Sequence, residues 1–169
     1  MDQDELSPRQ VLEMQIRQRL GNLHELSREA TKAQAFDYHT AFADREVQPV
    51  TLPQKTFAGF LNHSICGGSI GPVWASYTET QFKGQPVDKE LIDRFQQQTV
   101  SLLSLWSNDS ERSHDPLEQE ICLGLLKVSQ SFHWASDLTN FQRLHEITGV
   151  IAKDLAAYSG RPLGRQFSK

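Results

Sequence analysis

Residues 115–135 read DPLEQEICLGLLKVSQSFHWA. Asp115 can accept hydrogen bonds from the free N–H groups of a helix start. Pro116 then falls at the first helical position, where its missing N–H costs nothing, and Glu118 completes the order of a capping box. Leu117, Ile121, Leu125, Val128, Phe132 and Ala135 follow at steps of four and three, the period of one buried helix face. This stretch predicts a core helix and sets the expectation for the rest of the chain.

Working toward the amino terminus, Asp88 can cap a helix carrying Leu91, Phe95, Leu102 and Trp106 and ending near Ser107, with Gln96, Gln97 and Gln98 read as a solvated face. Lys83 to Pro86 reads as a turn. Residues 69–82 give a mixed signal, because Gly71-Pro72 disfavours helix while Val73, Trp74 and Tyr77 suit either state; helix is the favoured reading. Before it, Thr51 can cap a helix from Pro53 to about Ile65, with Phe57, Phe60, Leu61 and Ile65 on one face and Gly67-Gly68 as its stop. Ser7-Pro8 opens the first helix. Its stripe is Leu12, Ile16, Leu23, Leu26, Ala30 and Ala33, broken only by Arg19. Ala35 to Phe42 could prolong that helix, but Pro49 and Pro53 forbid continuation, which places the break near Val47.

Toward the carboxyl terminus, a last helix from about Thr139 carries Phe141, Leu144, Ile151, Leu155 and Tyr158, and stops at Ser159-Gly160 before Pro162. No strand alternation stands out against these helices. The expected class is all-α: about five helices in a single compact bundle or orthogonal helical domain over residues 1–160, followed by a basic tail, 161–169.

The chain has 169 residues, with 17 Lys plus Arg against 21 Asp plus Glu and a net charge of -4. General attraction to nucleic acid is therefore excluded, and only a local patch could bind it. Cys66 and Cys122 show neither a disulfide framework nor metal-ligand spacing, which suits a reducing, cytoplasmic setting. The opening MDQDE lacks the charge pattern of a secretory signal, and apolar runs such as Ile121 to Leu126 are far too short to span a bilayer. A soluble protein with no membrane role is expected.

Chemical motifs are sparse. No two histidines are three or four positions apart; His133 with Asp137 is the one good same-face pair, and no metal or cofactor is expected. His63, Ser64 and Cys66 beside Gly67-Gly68 could suggest an activated nucleophile. Cys66 falls at the predicted carboxyl end of a helix, where carbonyl dipoles oppose a thiolate, so the reading is a small core residue. No catalytic residue is assigned, and a non-enzyme is favoured. Leu12, Ile16, Leu23 and Leu26 form a seam that can serve a protein partner, self-association into a homodimer, or the inside of this bundle. The tail residues Arg161, Arg165 and Lys169 segregate positive charge and could contact DNA phosphate. The functional expectation is a helical interaction or regulatory protein binding a protein partner. The alternative is a small DNA-binding regulator whose body dimerises.

Overall fold

The computed structural model describes residues 6–34, 36–43, 56–84, 88–109 and 115–158. Their helices are α1 (Pro8–Gln34), α2 (Tyr38–Ala41), α3 (Phe57–Gly59), a π-helical segment (Phe60–Ile70), α4 (Gly71–Phe82), α5 (Lys89–Asn108), α6 (Pro116–Ser129) and α7 (Leu138–Tyr158). No strand occurs among the described residues, and the all-α expectation holds.

Five elements close a ring around one apolar core: α1 packs on α7, α7 on the π segment, that segment on α5, α5 on α6, and α6 back on α1. Side-chain contacts give the directions. Arg9 lies over the Tyr158 ring at 4.2 Å and Arg143 meets Glu29 at 2.9 Å, so α1 and α7 are antiparallel. Arg17 meets Glu120 at 3.0 Å and Ser27 meets Ser131 at 2.7 Å, so α1 and α6 are parallel. Their close approach depends on Gly124, where an added Cβ would lie 3.3 Å from Leu20 Cδ2. Trp106 anchors the middle, stacked on Phe60 with ring centroids 4.6 Å apart.

The α1 N-cap forms as Ser7-Pro8 implies, the Gln10 N–H donating to Ser7 Oγ at 3.1 Å, and Gln10 adds a reciprocal bond that the sequence reading did not include, its Oε1 accepting the Ser7 N–H at 2.8 Å. The end of α1 differs from expectation. It stops at Gln34 rather than near Val47, which lies outside the described residues, because Asp37 caps α2 instead. The Asp37 carboxylate accepts from the His39 and Thr40 N–H groups and from the Thr40 hydroxyl, a local alternative to continued helix.

The next helix also departs from the sequence reading. Thr51 and Pro53 lie outside the described residues, and the cap is Thr56, whose Oγ1 accepts from the Gly59 N–H at 3.2 Å. Gly67-Gly68 do not stop the helix; the chain runs through them in the wide π register and on into α4. An i→i+5 register brings residues five apart onto one face, and Phe60, Ile65 and Ile70 are all buried. The glycines make that register possible: at Gly71 a Cβ would lie 1.9 Å from the Cys66 carbonyl oxygen. Residues 71–82 are helical, as favoured.

In α5 the Asp88 cap is formed, with Leu91 N–H donating to Oδ1 at 3.1 Å. The solvated glutamine face is a correction, because Gln96 and Gln97 are buried and only Gln98 is half-buried. A second correction concerns α6. Leu117, Ile121, Leu125, Val128, Phe132 and Ala135 are all buried, yet the helix ends at Ser129, and Phe132 and Ala135 reach the core from a loop.

Candidate functional site

The polar groups with the most developed hydrogen bonding meet at one end of the bundle. There the start of α5, the 130–137 loop between α6 and α7, and the chain around α2 come together. Gln96 organises this end from a fully buried position. Its Nε2 donates to the carbonyls of Ser129 at 3.0 Å and Phe132 at 2.8 Å, and its Oε1 accepts the Trp134 N–H at 3.1 Å. One side chain thus satisfies three backbone groups that the ended helix leaves without helical partners. Ser131 adds a bond to the Lys127 carbonyl at 2.6 Å and joins Ser27 of α1. These bonds explain why the apolar period continues past Ser129 without the helix.

The loop so fixed presents His133. Its Nε2 lies 2.6 Å from Asp93 Oδ1, and its Nδ1 lies 2.7 Å from Ser136 Oγ. An ionised carboxylate can only accept, so in the neutral ring the proton sits on Nε2 and Nδ1 accepts from the Ser136 hydroxyl. The Asp93 side chain is 8% exposed and that of His133 28%, while Ser136 is exposed. Phe36 stacks on the imidazole at 5.9 Å between centroids, and Phe42 meets it edge-on at the same distance. Tyr38 packs on Phe42, and burial pushes its hydroxyl up to about 12. Asp37, held low by its bonds to Thr40 and His39, stays ionised beside these rings.

The expected His133 and Asp137 pair is corrected: residues 130–137 are not helical, and Asp93 is the carboxylate on the imidazole. Asp137 instead caps α7, accepting from the Asn140 N–H at 3.2 Å and from Asn140 Nδ2 at 2.8 Å. The His63, Ser64 and Cys66 group lies within the π segment rather than at a helix end. Burial pushes the Cys66 thiol up to about 12, and its Sγ sits 3.9 Å from the Thr148 carbonyl, a core environment. Cys122 is likewise pushed up to about 12, with Sγ donating to the Leu103 carbonyl at 3.3 Å.

Of the seam residues, Ile16, Leu23 and Leu26 are fully buried within this chain and Leu12 is half-buried; the Ala33 side chain is outside the described set. Leu20, which the stripe omitted, is buried with them. Arg161, Arg165 and Lys169 lie outside the described residues. Sequence reasoning missed Asp93, Gln96 and Ser136. A signal for Gln96 existed: Ile92, Gln96, Thr99, Leu103 and Trp106 recur at steps of four and three, which places a glutamine in a buried slot. Nothing local pairs Asp93 with His133, because they come from different elements.

No family model, curated protein or solved structure matches this chain. Among the described residues no group of three or more His, Cys, Asp or Glu side chains is placed to hold a metal ion. No helix among them is long and apolar enough to cross a membrane.

Proposed function

We propose that this chain is a helical interaction protein that binds a protein partner through the bundle end built from α2 and the 130–137 loop. The observation that supports it is the Gln96 bracket, which fixes the loop and its flanking rings before any partner arrives. Preorganisation of this kind lowers the entropy cost of association. Aromatic side chains rimmed by exposed polar ones, here the half-buried Phe36 and Tyr38 backed by the buried Phe42, with His39 and Ser136 at the rim, match the make-up of interface centres. The buried part of the α1 seam is not required for this binding.

The test is site-specific photo-crosslinking in the source cell, with the photoreactive residue at Ser136 in one variant and at Gly149, exposed on α7, in another. A discrete adduct at position 136, lost when Tyr38→Ala is added, supports the proposal and identifies the partner; an adduct of twice the chain mass identifies a homodimer. Equal adducts at both positions, or none at 136, count against it. A gel shift comparing the whole chain with one cut after Gly160 addresses the nucleic-acid alternative through Arg161, Arg165 and Lys169.

A further inference from the structure

The hydrogen-bonded series Asp93, His133, Ser136 has a chemical consequence that does not depend on partner binding. Asp93 is a buried carboxylate whose 2.6 Å contact to Nε2 sets the tautomer of the neutral imidazole, and in that tautomer Nδ1 presents its lone pair to an exposed hydroxyl 2.7 Å away. We infer that Ser136 is an activated oxygen nucleophile that accepts an acyl group from an uncharged ester with an apolar acyl chain.

The geometry supplies each proton transfer. As Ser136 Oγ bonds to the ester carbonyl carbon, its proton passes to His133 Nδ1, and the resulting imidazolium is stabilised by Asp93 across the 2.6 Å contact at Nε2. The carbon to alkoxy-oxygen bond then breaks, and Nδ1 returns its proton to the leaving alcohol. Water repeats the cycle to release the carboxylic acid. The ring nitrogens are exchanged relative to the serine-protease arrangement, in which Nδ1 faces the acid and Nε2 the serine. The logic is unchanged, since one nitrogen donates to a carboxylate while the other takes the hydroxyl proton.

Substrate class follows from the surroundings. Phe36 and Phe42 flank the imidazole and offer an apolar wall beside the nucleophile. Asp93 on the imidazole and Asp137, next in the chain to Ser136, place carboxylates around it and disfavour anionic substrates.

The experiment exposes the intact protein to an alkyl fluorophosphonate and to p-nitrophenyl butyrate and locates adducts by peptide mass spectrometry. Ser7 is an exposed serine whose hydroxyl oxygen accepts from the Gln10 N–H rather than facing an imidazole, and it serves as the reference within the same molecule. General-base assistance is worth on the order of a hundredfold or more, so Ser136 is expected to react at least about 100-fold faster than Ser7. Asp93→Asn and His133→Gln should each bring Ser136 toward the Ser7 rate, and Ser136→Ala should abolish the adduct with an unchanged circular dichroism spectrum. A Ser136 to Ser7 ratio near one overturns the inference in the unmodified protein alone, whether or not the His133 variant folds. Undiminished labelling in a folded His133→Gln protein overturns it as well.

Discussion

Replacing Gln96 with Leu isolates the contribution of one buried polar side chain to the shape of the bundle end. Leucine keeps the side chain's approximate volume, so little cavity is made, but it can satisfy none of the groups that Gln96 now holds. The Ser129 and Phe132 carbonyls lose donors at 3.0 and 2.8 Å, and the Trp134 N–H loses an acceptor at 3.1 Å. A buried group left unsatisfied costs about 1–3 kcal/mol. Some relaxation toward water at the bundle end reduces the sum, and burying leucine in place of an amide offsets part of it. The net expectation is a loss of about 3–5 kcal/mol, a large share of the roughly 5–15 kcal/mol that stabilises a typical domain. Urea unfolding followed by circular dichroism measures it, with Gln98→Leu as the half-buried neighbour expected to change stability by less than about 0.5 kcal/mol. Native-state hydrogen exchange adds a local reading: the Trp134 amide should lose protection in Gln96→Leu before the α1 amides do. Equal effects of the two substitutions, or a Trp134 amide protected as before, would refute the bracket as the cause of the loop's geometry.

Leu125→Ala should cost about 2–5 kcal/mol because its side chain is fully buried, whereas Lys127→Ala, on the exposed side of α6, should be nearly neutral by the same denaturation assay. Gly71→Ala should destabilise by about 1–3 kcal/mol, since the new methyl meets the Cys66 carbonyl oxygen, while Gly21→Ala, facing open space on α1, should stabilise by about 0.5–1 kcal/mol. Glu118 is pushed up to about 7 by burial and by Asp115. Its folded value lies above the unfolded one, so its contribution to stability is full at low pH and is lost as pH rises from the ordinary carboxylate range through about 7; Glu118→Gln should flatten stability across that window. Ile16→Glu combined with Leu23→Glu should unfold the chain, read by circular dichroism and light scattering, because both side chains sit in this chain's own core. Folded monomers released from a dimer would instead restore the seam to self-association.

Local sequence signals determined the helical elements wherever a cap and an apolar period agreed. Ser7-Pro8, Asp88 and Asp115-Pro116 start helices as their side-chain chemistry dictates, and the period from Leu117 to Ala135 correctly marks buried positions. These signals are local because a cap bonds to amides two or three residues away and a stripe repeats every turn. Tertiary structure decided the departures. The helix past Ser129 ends because Gln96, distant in the chain, takes the carbonyls of Ser129 and Phe132. Gly67-Gly68 would stop an isolated helix, but packing of Phe60, Ile65 and Ile70 against α5 and α7 carries the chain through them in the π register. The pairing of Asp93 with His133 was illegible for the same reason: a carboxylate and an imidazole on separate elements meet only when α5 and α6 pack, and periodicity within one element carries no information about its neighbour's register.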